Sequence, residues 1–136
     1  MKKKAVFLDK DGTLIPDIPY NVNPELITVS DASVDGLRAL SSAGYLLVVV
    51  TNQSGIARGY FSEDKLETVF AKLITLLSAE NIYIDGFYYC PHHPEATIKY
   101  YAKECDCRKP LPGMISRAAE ELNIDLSGSW MIGDIL

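Results

Sequence analysis

The sequence predicts an α/β fold built on a parallel sheet. Two short apolar runs, residues 4–9 (KAVFLD) and 45–51 (YLLVVVT), lack period-two alternation, as strands covered on both faces do. An amphipathic stretch at helical spacing separates them, and the same strand and helix order recurs further along, the pattern of parallel strands joined by crossovers. With 136 residues, 48% of them hydrophobic, the chain suits one globular domain with its own core.

Each element has its own signal. After the first strand, Val34, Leu37 and Leu40 recur at helical spacing, with Asp31 and Ser33 as candidate caps and Gly44 as the C-terminal stop. The second strand follows at once. Ser62 then has the chemistry of an N-cap, Glu63 and Asp64 favour the positive end of the helix dipole, and Leu66, Val69, Phe70, Leu73 and Leu77 share one helix face. Residues 84–90 fit a third strand. Pro112 suits the first turn of a helix whose Ile115, Ala118, Ala119 and Leu122 form an apolar stripe, and residues 129–133 (SWMIG) fit a fourth strand. The connection from 90 to 112 is long for a compact domain, and such loops are commonly functional.

Composition narrows the function. Thirteen basic against eighteen acidic residues give a net charge of −5, and no stretch concentrates Lys and Arg as a nucleic-acid groove needs, so no nucleic-acid partner is expected. No apolar segment approaches the roughly 20 residues of a membrane span. Lys2 to Lys4 imitate the start of a secretion signal, but Asp9 interrupts the apolar run too early, so the expected setting is the cytoplasm. Three cysteines cannot form a closed disulfide framework.

The chemistry-bearing residues cluster after strands. Asp9-Lys10-Asp11-Gly12-Thr13 follows the first strand directly, which puts two carboxylates at the carboxyl end of the sheet, where open α/β folds bind ligands. Their spacing of two lets both serve one reaction centre. In the long loop, Cys90-Pro91-His92-His93 and Cys105-Asp106-Cys107 offer three thiolates and an imidazole, a set suited to tetrahedral zinc. With every position filled, such a site is structural. Ser54 lacks the Gly-x-Ser-x-Gly elbow, and no acid stands ready to orient either histidine, so serine hydrolase chemistry is not expected.

Asp9-x-Asp11-Gly12-Thr13 resembles the first signature of the haloacid dehalogenase superfamily, and three further signatures follow in order. Thr51 closes the second strand, Lys109 lies in Cys107-Arg108-Lys109-Pro110, and Gly133-Asp134 follows the fourth strand. The resemblance covers almost the whole chain. It implies a Rossmann-like core in one domain over residues 1–136, with a zinc loop at about 90–107 and with the family's last strand and covering helices missing after Leu136. That absence would leave the fourth strand an open edge, a route to association in a chain whose fuller relatives are expected to be monomers. Ile135 stands where close relatives often carry Lys.

Under this resemblance each site residue takes a role. Asp9 is the nucleophile that accepts a phosphoryl group, and Asp11 is the general acid and base. Asp9, the Asp11 main chain and Asp134 bind Mg²⁺, while Thr51 and Lys109 hold the transferring phosphoryl oxygens. The zinc loop matches that of the heptose bisphosphate and histidinol phosphatases, which selects His92 over His93 beside Cys90, Cys105 and Cys107. Arg108 can clamp a distal phosphate, and Asp17, Tyr20, Asn52, Gln53 and Ser54 match positions around the sugar. The implied activity is magnesium-dependent hydrolysis of a heptose bisphosphate in lipopolysaccharide precursor synthesis. Histidinol-phosphate hydrolysis and a catalytically impaired, zinc-stabilised phosphosugar-binding fragment are the alternatives.

Overall fold

The computed structural model describes residues 2–11, 13–15, 23–53, 56, 58–92 and 113–133. In order these form β1 (Ala5–Leu8), α1 (Asp31–Ser42), β2 (Leu46–Asn52), α2 (Glu63–Ser78), β3 (Gly86–Cys90), α3 (Gly113–Leu122) and β4 (Trp130–Ile132). The four strands pair in the order β3-β2-β1-β4, all parallel. Among the described residues no helix is long and apolar enough to cross a membrane.

Alternating strand side chains feed two cores, one on each face of the sheet. Val6, Leu8, Leu47 and Val49 point to one side, where Leu37 of α1 and Val69, Leu73 and Leu77 of α2 cover them. Ala5, Phe7, Val48 and Val50 point to the other, against Met114 and Ala118 of α3. Burial on both faces explains the unbroken apolar runs of β1 and β2. Tyr88 joins the second core and donates from its hydroxyl to Glu121 Oε2 at 2.6 Å. Burial, and then the Glu121 carboxylate, push the Tyr88 phenol up to about 12, so this hydrogen bond persists throughout the neutral range.

The crossovers explain which face each helix takes. Both α1 and α2 connect strands laid down in one direction, from β1 through β2 to β3, whereas α3 leads back past β1 to β4. Connections of constant hand must change face when the direction reverses. The reversal creates a switch point between β1 and β4, and Asp9 stands there, its N–H donating to the Ile132 carbonyl at 3.0 Å.

Two boundaries that differ from the sequence expectation have a visible cause. Ser30, rather than Asp31 or Ser33, caps α1: its side chain accepts from the Ser33 N–H, leaving Asp31 in the first turn where its charge complements the dipole. The third strand starts at Gly86 because Asp85 is committed to β2. Its N–H donates to the Leu47 carbonyl and its carboxylate accepts from the Leu47 N–H, each at 2.8 Å. Pro112 lies outside the described residues, and the helix it was expected to open is described from Gly113. Gly44, by contrast, takes φ +93° after α1 as a stop residue should. β4 forms one edge of the sheet, and Trp130, Met131 and Ile132 are all exposed.

Candidate active site

The parallel register brings the described signature residues, Asp9, Asp11 and Thr51, to one end of the sheet. Leu8 pairs with Val49 on one side and Ile132 on the other, so Asp9 emerges level with the end of β4 and just short of Thr51. Thr51 and Asn52 pair in turn with Tyr89 and Cys90, which places the start of the cysteine and histidine segment at the same end. Asp134, Lys109, Arg108, Asp17, Tyr20, Ser54, Cys105 and Cys107 lie outside the described residues.

The turn after β1 is tightly bound to itself. Lys10 N–H donates to Asp9 Oδ1 at 2.9 Å, and the Lys10 carbonyl accepts from both Leu14 N–H (3.0 Å) and Ile15 N–H (3.1 Å). Leu14 and Ile15 are buried in the first core, so apolar packing clamps the far end of the turn. Asp9 and Asp11 stay partly exposed, as acids that meet a substrate must. Between them Lys10 is 1% exposed, and its ammonium donates to Asp11 Oδ1 at 2.9 Å. Sequence reasoning passed over Lys10 as the variable position of the motif. The available signal was a lone cation between two acids straight after a buried strand.

Thr51 is buried, and its hydroxyl donates to Gln53 Oε1 at 2.9 Å. Gln53, expected beside the sugar, is 6% exposed, and its N–H donates to the Cys90 carbonyl at 2.9 Å. It braces Thr51 and β3. Asn52 keeps partial exposure at the strand end. The loop beyond is anchored by Ile56, which packs with Phe61, Leu66 and Phe70, and Phe70 stacks on Phe87 with ring centroids 4.6 Å apart. Tyr89 reinforces the seat by donating its hydroxyl to Glu63 Oε1 at 2.7 Å.

Cys90 is buried at the end of β3, and its sulfur lies 3.8 Å from His92 Nδ1. That separation is what two neighbouring ligands of a tetrahedral zinc present, with zinc to ligand bonds of about 2.0–2.3 Å. Cys90 is in a disulfide whose other half lies outside the described residues, where the sequence suggests a free thiolate. A thiol beside an imidazole can serve either bond, and zinc binding requires the reduced form. Among the described residues no group of three or more Cys, His, Asp and Glu is assembled for a metal. The donors at the β1 turn are hard carboxylate and carbonyl oxygens, which fit Mg²⁺ rather than a softer ion.

Comparison with known proteins shows the family. The family model described as polynucleotide kinase 3 phosphatase matches residues 4–135. The D-glycero-beta-D-manno-heptose-1,7-bisphosphate 7-phosphatase of Pasteurella multocida (strain Pm70) is 50% identical over 132 residues, covering 97% of this chain and 71% of that protein. A HAD-like phosphatase from Mesorhizobium loti superposes with a TM-score of 0.92 at 35% identity, over 98% of this chain and 64% of that one. The D,D-heptose 1,7-bisphosphate phosphatase of B. bronchiseptica, solved with magnesium and phosphate, gives 0.82 at 33% identity, over 96% and 70%. This chain therefore belongs to the polynucleotide kinase 3 phosphatase family of haloacid dehalogenase-like phosphatases.

Proposed function

We propose that the chain is a magnesium-dependent phosphatase that removes the 7-phosphate of D-glycero-β-D-manno-heptose 1,7-bisphosphate. The observation that carries this is the β1 turn: two acids two residues apart, at the sheet's switch point, in a chain half identical to a heptose bisphosphate 7-phosphatase. The identity to sugar phosphatases favours this substrate over a nucleic acid and over histidinol phosphate.

Asp9 attacks phosphorus, forming an aspartyl-phosphate as the bond to the sugar oxygen breaks. Asp11 gives that oxygen its proton. In the second step Asp11 takes a proton from water, the water oxygen bonds to phosphorus, and Asp9 leaves as carboxylate with inorganic phosphate released. Asp9, the Asp11 carbonyl and Asp134 would hold Mg²⁺, which lessens repulsion between the anionic partners. Thr51 and Lys109 take the phosphoryl oxygens in this reading, and for that contact the Thr51 hydroxyl must release Gln53. Arg108, Asp17, Tyr20, Asn52, Gln53 and Ser54 complete the sugar side.

Phosphate release from heptose 1,7-bisphosphate and histidinol phosphate, with and without Mg²⁺, tests the proposal. The expected result is magnesium-dependent turnover favouring the bisphosphate by about 10²-fold or more in kcat/KM, since a site built for sugar hydroxyls discriminates strongly. Preference for histidinol phosphate overturns the substrate. A folded chain without turnover fits a binding fragment instead.

Cys90, His92, Cys105 and Cys107 are proposed to hold a structural zinc. The reduced chain should carry one zinc per molecule, and chelation should expose residues 90–107 to protease before the rest. An unchanged digestion pattern after metal removal rejects the zinc site.

A further inference from the structure

We infer that Lys10 is a positioning residue: its buried ammonium fixes the Asp11 carboxylate in the orientation that proton transfer requires. The inference rests on the proposed phosphatase chemistry. An ammonium removed from water is unfavourable unless a partner compensates, and Lys10 is 1% exposed. Among the described residues its charged partner is Asp11, with Nζ donating to Oδ1 at 2.9 Å. The two residues are adjacent, and an ion pair between neighbours is seldom needed to hold a fold together. The fold has already secured this turn, because the Lys10 carbonyl binds Leu14 and Ile15, the Lys10 N–H binds Asp9, and two core side chains close the far end. What these backbone contacts leave undetermined is the torsion of the Asp11 side chain, and the ammonium fixes that.

The same contact has an electrostatic use. Once Asp11 has given up its proton, its charge faces the phosphorylated Asp9, and a cation enclosed by protein is screened less than one in water. Held at Oδ1, the Asp11 side chain keeps one orientation through both steps, as acid in the first and as carboxylate in the second, and the lysine needs no contact with substrate. Displacement of a reacting group by about 1 Å can cost on the order of 10²-fold in rate.

The test combines kinetics with a double-mutant cycle on the full 136-residue chain. Lys10→Met should lower kcat about 10- to 100-fold with KM within about twofold, and Lys10→Arg, which restores a cation, should recover most of the loss. Should Lys10→Met melt below the assay temperature, Lys10→Gln takes its place. In thermal melts Asp11→Asn strands the ammonium and lowers the midpoint, and adding Lys10→Met should recover part of that drop. A merely architectural lysine would lower the midpoint and leave kcat unchanged, which overturns the inference. If the unaltered chain releases no phosphate, the proposed function fails while the melting cycle still decides the pairing. Strictly additive midpoints then reject it.

Discussion

Asp9→Asn is expected to lower turnover by about 10⁴-fold or more while leaving the fold intact. The amide keeps the size of the carboxylate, and its oxygen can still accept from the Lys10 N–H, so the turn after β1 loses no described hydrogen bond. What disappears is the nucleophile, because an amide oxygen does not accept the phosphoryl group as a carboxylate does. Melting should therefore change little, and zinc content should not change at all. Phosphate release with Mg²⁺, measured beside circular dichroism and bound zinc, decides the matter. Retained activity would move the covalent step away from Asp9 and leave direct attack by water as the simplest replacement.

The main elements are legible in the sequence because burial writes itself into composition. β1 and β2 are covered on both faces, so their runs are apolar throughout, and the five apolar residues read onto α2 are its buried residues. The boundaries are harder. Ser30, Asp31 and Ser33 are all cap formers, and only the extended backbone at Ser30, with ψ 156°, selects among them. Asp85 looks like a strand residue until its carboxylate is seen on the Leu47 N–H, a contact between elements that no local pattern announces.

The site divides along the same line. The two acids were legible because motif and strand end coincide. The burial of Gln53 had an available signal: residues 51 and 53 lie two apart at the end of a strand, and hence on one face. A buried Thr51 therefore brings a buried Gln53 with it. Lys10 was missed for a deeper reason. Periodicity sorts strand side chains into inside and outside, but it does not say which way a turn residue points, and a lysine is ordinarily assumed to face water. The proposed zinc site combines sequence and structure, with Cys90 and His92 brought within 3.8 Å and the other two residues resting on the resemblance alone.

Asp11→Asn should separate its two proton-transfer duties when a poor and a good leaving group are compared. With the sugar phosphate, the departing alkoxide needs a proton at once, so turnover should fall about 10²- to 10⁴-fold. With 4-nitrophenyl phosphate the leaving group departs as a stable anion, and the first step should proceed at a rate close to that of the unaltered chain. The second step still lacks its base, so aspartyl-phosphate should accumulate, and stopped-flow absorbance should show a burst of nitrophenolate near one equivalent followed by a slow phase. The substitution also leaves the Lys10 ammonium buried against a neutral amide, so the assay belongs well below the lowered melting midpoint. An equal loss on both substrates, with no burst, would mean that Asp11 serves the architecture of the turn and that the acid and base must be sought elsewhere. A burst beside the loss on the sugar phosphate would assign the acid and the base to one carboxylate, the one that the Lys10 ammonium holds at Oδ1.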